Sequence, residues 1–187
     1  MRQKNGFKDG IPMHGTLVII ARDTKTGLPA RNIPRIEIRN KITFLAADVL
    51  VELWAQRATD PAPLYDQIYS MRMGTSNTAA SRADTNLGAY VVGAQLLDVN
   101  KVTGIPGEIA FIATLSAGDA NGVTLQEAGL FTRGNAVTAH PQNVDVVSDV
   151  PGTTPGTPRM IAHQVHLPIP KSAAITVEYQ WRVSFTA

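Results

Sequence analysis

The sequence predicts a mainly β protein, an antiparallel β-sandwich (jelly-roll-like) with one packed α-helix and an extended N-terminal arm. The strongest observation is residues 175–185, in which every second side chain is apolar. A period of two is typical of a half-buried antiparallel strand. In addition, no helical pattern alternates with the later strand-like segments, which argues against a parallel sheet with crossover helices. We expect an arm at 1–15 and a single domain at 16–187.

The N-terminal arm is expected to lead into a β-hairpin. Residues 1–15 contain glycine and proline without periodicity, which indicates an extended segment. A β-branched run at 16–21 and the isoleucines within 33–38 predict two strands. The segment Asp23-Thr-Lys-Thr-Gly27 has the composition of the turn that joins them.

A single helix is predicted after the hairpin. Asn40 marks the expected boundary, and apolar residues recur at helical spacing over about 43–57. Trp54 lies on the apolar face of this helix, so we assign it to the core. Two prolines within 59–63 end the helix, because proline cannot continue one.

The rest of the chain is predicted to consist of strands and two long loops. The first loop, at 74–88, is polar, and the second, at 135–158, is rich in proline, glycine, asparagine and aspartate. We expect both loops to be contact surfaces that neighbouring subunits order. The strands are expected at 68–73, 94–100, 108–116, 123–131, 160–167 and 171–185. In the last strand Tyr179, Trp181 and Phe185 share the apolar side and should anchor the core.

Charge is distributed unevenly along the chain. Residues 1–41 carry nine basic and three acidic side chains, a net charge of +6, whereas the remainder carries a net charge of −4. A basic segment on an acidic body suits an acidic protein neighbour. Phe7 is the one aromatic residue within this segment, which is too few for a base-stacking surface, so we do not expect nucleic acid as a partner. We do not expect a membrane as partner either. The predicted partner contacts are Arg2, Lys4, Lys8, Arg31, Arg35 and Arg39.

Composition excludes several kinds of site. The chain has no cysteine, so it has neither a disulfide nor a cysteine–zinc site. No apolar run is long enough to span a membrane, and the N-terminus lacks the apolar segment of a signal peptide. We therefore expect synthesis in the cytoplasm.

No motif predicts a catalytic residue, a cofactor or a bound metal. His163-x-x-His166 resembles a metal pair, but residues three apart on a strand point to opposite faces. Nucleotide-binding glycine loops and serine-nucleophile motifs do not occur in the sequence. We expect the Glu127 carboxylate to bind a turn or a backbone amide. The alternative, a general base, would require that Glu127 line a cleft.

The segment Asp119–Phe131 is the most distinctive in the chain. Asn121-Gly122 is a strong turn dipeptide, and the following residues alternate like a strand. The strand ends in Glu127-Ala-Gly-Leu-Phe131. Gly129 within it indicates a bend or the close approach of another backbone, and Leu130 is expected to support the fold.

This segment resembles the "E-(small)-G-L-F" strand of small β-domains in structural proteins of tailed bacteriophages, including the virion-attaching ends of tail fibres. Other segments follow the order of that family. They are the D-x-x-T-G turn, the asparagine-led segment at Arg39, the strand ending in Gly74-Thr75 with its D-T-x-L loop, the Arg159-Met-Ile-Ala-His163 strand and the closing strand. Ser76 stands where many relatives have a glycine, and the loop 135–158 is an insertion.

The resemblance implies a non-enzymatic virion component, assembled as a homo-oligomer with other virion proteins. It implies an adaptor at the tail, neck or baseplate that docks through its arm, loops and strand edges. A capsid decoration protein is the alternative within the family. A carbohydrate-binding module or a β-sandwich enzyme is the alternative from another class. Sugar binding requires exposed aromatic side chains, and neither Trp54 nor Trp181 is expected to be exposed.

Overall fold

A computed structural model describes residues 13–42, 46, 68–95, 98–101, 108–132 and 158–185. Most of these residues form antiparallel strands or the loops that connect them. In chain order the strands are β1 (Met13–Asp23), β2 (Ile36–Ile42), β3 (Ile68–Gly74), β4 (Tyr90–Gln95), β5 (Asp98–Lys101), β6 (Glu108–Leu115), β7 (Thr124–Thr132), β8 (Met160–Pro170) and β9 (Ile175–Phe185).

Strand β2 connects two antiparallel sheets of four strands each. The hydrogen-bonded order is β4-β3-β7-β8-β2-β1-β9-β6-β5. The first part of β2, Ile36 to Asn40, pairs with β1, and its last residues, Lys41 and Ile42, pair with β8. One sheet therefore contains β1, β9, β6 and β5, and the other contains β8, β7, β3 and β4.

Both sheets contribute side chains to one hydrophobic core. In β9 the apolar side chains from Ile175 to Val183 are buried and those between them are half-buried, which matches the expected alternation. Tyr179 and Trp181 are 0% exposed. Met71 of β3 and Leu130 of β7, from the other sheet, belong to the same core.

The first hairpin has the expected turn. The Asp23 carboxylate accepts hydrogen bonds from the amides of Lys25 and Thr26 at 3.0 and 2.9 Å. Gly27 has a φ of 69°, a left-handed conformation that favours glycine. This local side-chain bonding lowers the pKa of Asp23, mainly through the Thr26 amide.

The structure corrects two expectations about secondary structure, and a third lies almost entirely outside the described residues. Asn40 is not a helix boundary, because it lies inside β2 and pairs with Gly15. The strand expected at 94–100 is instead two strands in different sheets, since β4 pairs with β3 and β5 pairs with β6. The packed helix at about 43–57, with Trp54, lies outside the described residues except for Ala46, which is helical and belongs to the core, so the helix as a whole is not seen.

Candidate functional site

A loop of 15 residues covers the face of β7 that points away from the shared core. This covering loop, residues 75–89, connects β3 to β4. On β7, Ala128 and Leu130 belong to the shared core, whereas Phe131 packs in a second cluster with Leu87 and Met160. Phe131 is 0% exposed as a result. The strand is therefore buried on both faces, and the covering loop contributes Leu87 to the burial of the second.

Glu127 fastens the covering loop to the sheet. Its carboxylate is 0% exposed. It accepts hydrogen bonds from three backbone amides of the loop, those of Ser76, Gly88 and Ala89, at 3.2, 2.9 and 2.7 Å. The bonds reach both ends of the loop, so one side chain closes it. This agrees with the expectation that Glu127 binds backbone amides.

His163 of β8 extends this arrangement to the middle of the loop. Its Nε2 lies 3.2 Å from Oε2 of Glu127, and its Nδ1 lies 2.6 Å from Oδ2 of Asp84. The same Asp84 oxygen accepts a hydrogen bond from the Ser81 amide at 2.6 Å. Asp84, His163 and Glu127 therefore form a chain of contacts that joins the loop to the sheet. His163, in the middle of this chain, is 4% exposed. We call these three residues the fastening cluster.

The pKa directions of His163 and Glu127 are those of an ionised pair. Burial acts to lower the pKa of His163, but the hydrogen bonds to Glu127 and Asp84 outweigh it, and the pKa rises above its ordinary value of 6.5. Burial acts to raise the pKa of Glu127, but its bonds to His163 and to the three loop amides outweigh it, and that pKa falls below 4.5. Two anions beside one imidazole favour the doubly protonated ring.

Glycines make room for this arrangement. A Cβ at Gly129 would lie 2.8 Å from a carbon of Phe131 and 3.0 Å from a carbon of Leu87. A Cβ at Gly74 would overlap the carbonyl oxygen of Ala89 and the carboxylate of Glu127. The close approach at Gly129 thus involves side chains and not another backbone, which was one of the two alternatives that the sequence indicated.

The geometry of the cluster suits fastening better than proton transfer. A general base needs a free lone pair that faces a substrate. Both ring nitrogens of His163 lie against carboxylates, and both oxygens of Glu127 accept bonds. Among the described residues, no group of three His, Asp or Glu side chains is placed to hold a metal ion.

The two histidines of the His163-x-x-His166 pair have separate environments. His166 is buried, and its Nδ1 lies 2.8 Å from the carbonyl oxygen of Leu167. Its ring lies 5.8 Å from the ring of Tyr179, which belongs to the shared core. Burial lowers the pKa of His166, the opposite of the shift at His163.

The expected partner-contact residues that the structure describes are on the surface. Arg31, Arg35 and Arg39 are exposed, and Arg35 forms an ion pair with Glu37 at 3.0 Å. Arg31 lines an open cleft of about 600 Å³ beside Leu28, whose side chain is 65% exposed. The other three, Arg2, Lys4 and Lys8, lie outside the described residues, as does Trp54.

Six of the eight residues assigned to the core are buried in the structure. Glu127, Gly129, Leu130 and Phe131 are buried on β7, and Tyr179 and Trp181 are buried on β9. Phe185 is the last residue of β9.

Comparison with protein-family models, with curated proteins and with solved structures returned no match for this chain. Among the described residues, no helix has the length and apolar character needed to cross a membrane.

Sequence reasoning missed the partners of Glu127. Asp84 belongs to a segment that was interpreted as a polar contact loop, and His163 was considered as a metal ligand and as part of a phage-like strand. Neither residue was connected with Glu127. They are separated from Glu127 by 43 and 36 positions, and no local pattern connects them. One signal was available, since a glutamate between apolar residues in a strand requires hydrogen-bond partners if it is buried.

Proposed function

We propose that this chain is a non-enzymatic structural component of a tailed-phage virion. In this proposal it is an adaptor at the tail, neck or baseplate that docks onto neighbouring virion proteins. The two sheets stack face to face as a jelly-roll-like sandwich, and the surface of that sandwich makes the contacts. Homo-oligomers follow because repeated identical patches generate closed symmetry.

The observation that carries this proposal is the convergence of separated phage-like segments. Three of these segments lie together where the covering loop packs on the sheet. They are the Gly74-Thr75 strand end, the loop with Asp84 and Leu87, and the strand Glu127–Phe131. The Arg159–His163 segment supplies His163 and Met160 to the same place. Segments that are conspicuous in the sequence for their similarity to one family therefore form one structural unit.

The chemistry of that unit supports a role in assembly. The fastening cluster holds a loop in one conformation, as a rigid contact surface requires. Several loop residues that the cluster does not use are exposed, among them Asn77, Thr78, Arg82 and Thr85. A loop that is already ordered loses little conformational entropy when a neighbour binds. We had expected neighbouring subunits to order this loop, whereas its own chain supplies the bonds.

Particle composition tests the proposal. We expect the protein to co-purify with phage particles through density-gradient centrifugation, at a fixed copy number relative to the major coat protein. Quantitative mass spectrometry with isotope-labelled peptides measures that ratio. Absence from purified particles, or a ratio that varies between preparations, would contradict the proposal.

A further inference from the structure

Arg72 is a buried cation at the centre of the sheet that carries the covering loop. It lies on β3, and its side chain is only 8% exposed. Its direct neighbours on the flanking strands are Gly93 of β4 and Gly129 of β7, which have no side chains. Its guanidinium carbon lies 4.5 Å from the centre of the Phe131 ring and 6.0 Å from that of Tyr90.

No described residue supplies a counter-charge to this guanidinium. The ion pairs among the described residues join Arg35 to Glu37 and His163 to the two carboxylates of the fastening cluster. The Nε of Arg72 is fully buried and has no hydrogen-bond partner among those residues. Burial lowers its pKa, although a guanidinium remains charged in proteins.

An arrangement of this kind is unusual in a protein that acts alone. Charged side chains are almost never this buried unless they are paired, because removal of a charge from water is costly. The two aromatic rings attract the cation, but ring contacts alone satisfy none of its five N–H donors. An acidic group other than those of the described residues would supply the missing counter-charge.

We propose that Arg72 is a docking point whose counter-charge is a carboxylate of a neighbouring virion protein. This inference rests on the proposed function. A carboxylate matches a guanidinium with two parallel hydrogen bonds and is small enough to reach a side chain with little exposed surface. Arginines in desolvated pockets are also enriched among the residues that dominate binding energy.

A protein carboxylate fits better than a nucleic-acid phosphate. Nucleic-acid binding draws its affinity from many phosphate contacts made by clusters of basic side chains. Arg72 instead lies against the aromatic rings of Tyr90 and Phe131, and both rings belong to or pack on an apolar cluster with Leu87 and Met160. A single guanidinium within an apolar surround is typical of the centre of a protein–protein interface.

The isolated protein provides the first test. Urea denaturation is measured for the wild type, R72M and R72K, with R35M as a control that removes an exposed, paired arginine. We expect R72M to unfold at the same urea concentration as the wild type or at a higher one, because it removes an uncompensated charge and keeps an apolar side chain. R72K keeps the charge and should unfold at a lower concentration than R72M. A midpoint for R72M below those of the wild type and R35M would overturn the inference, since the chain itself would then satisfy the charge.

Incorporation into particles provides the second test. Phage particles lacking a functional copy of this protein are supplied with each variant, and the copy number per particle is measured. We expect K25M, which removes an exposed basic side chain that is not among the predicted partner contacts, to match the wild type. R72M should be at least about tenfold lower, because truncation would leave a partner carboxylate unpaired. Normal incorporation of R72M beside the wild type would overturn this inference alone. Failure of the wild type to incorporate would overturn the proposed function, and the inference with it.

Discussion

Replacement of Glu127 by glutamine is the most informative perturbation of the covering loop. Glutamine has the shape of glutamate, but one carboxylate oxygen becomes an NH₂ group that cannot accept a hydrogen bond. In the wild type, Oε1 accepts bonds from Ser76 and Ala89, while Oε2 faces Gly88 and His163. With the amide nitrogen at the Oε1 position, two of these bonds become contacts between two donors. With it at the Oε2 position, the Gly88 bond becomes such a contact, whereas a neutral His163 could accept a bond from the amide at Nε2.

The expected loss of stability follows from the bonds that are lost. A hydrogen bond to a charged group contributes about 1.5–3 kcal/mol, and E127Q loses one or two such bonds, so it should lower the free energy of unfolding by about 1.5–6 kcal/mol. The site cannot recover the loss through water unless the loop opens, because Glu127 is 0% exposed. A change of this size is a large fraction of the roughly 5–15 kcal/mol that stabilises an ordinary domain.

Urea denaturation monitored by tryptophan fluorescence measures this loss, with E37Q as the matched control. Glu37 has a side chain that is 58% exposed and forms a surface ion pair with Arg35, so E37Q should change the free energy of unfolding by less than about 1 kcal/mol. Hydrogen exchange should also be faster at the Ser76, Gly88 and Ala89 amides in E127Q. Equal stability losses in E127Q and E37Q, or unchanged exchange at those amides, would refute this reasoning.

Three further outcomes follow from the same structure. Trp181→Ala should lower the free energy of unfolding by about 3–5 kcal/mol, and Arg182→Ala on the opposite face of β9 by under about 0.5 kcal/mol; similar melting shifts would reject the assignment of faces. Gly129→Ala should cost about 1–3 kcal/mol in the same measurement, because its Cβ would lie 2.8 Å from the nearest side-chain carbon, and an unchanged melting temperature would contradict that crowding. The contribution of Glu127 and His163 to stability should be largest between about pH 4.5, the ordinary pKa of Glu127, and pH 6.5, the ordinary pKa of His163. It should fall at higher pH as His163 loses its proton and at lower pH as Glu127 gains one, and a His163→Gln variant that kept the same profile would contradict the assignment.

Local patterns in the sequence predicted the strands of this fold well. The alternation of residues 175–185 depends only on which side chains face the core, and β9 has that form because one of its faces is buried more deeply than the other. The Asp23–Gly27 turn was recognisable for a similar reason, since its hydrogen bonds form between residues only two to four positions apart. Both features are encoded within a few neighbouring residues.

Features that depend on distant residues were harder to predict. The segment 94–100 was interpreted as one strand, because no local pattern indicates that the chain passes from one sheet to the other between β4 and β5. The role of Glu127 was predicted correctly in kind, as a ligand of backbone amides. Its loop, and its partners Asp84 and His163, could not be identified, because strand pairing and loop packing bring them together.

Arg72 illustrates the same limit. In the sequence it is one charge within a strand, between Met71 and Met73, and such a residue is normally expected to face solvent. Its burial arises because Phe131 and Tyr90 come from neighbouring strands and lie over the same face. Only the folded arrangement shows that a cation lies there without a counter-charge from the described residues.

The protonation state of His163 tests most directly whether the polar cluster fastens a loop or performs chemistry. Nitrogen-15 chemical shifts of the imidazole ring, followed from acidic to alkaline pH, distinguish a doubly protonated ring from a neutral one. We predict that the His163 ring is mainly doubly protonated at pH 6.5, because each nitrogen faces a carboxylate and the pKa lies above that ordinary value. A mainly neutral ring at pH 6.5, with one unprotonated nitrogen available as a base, would contradict the account.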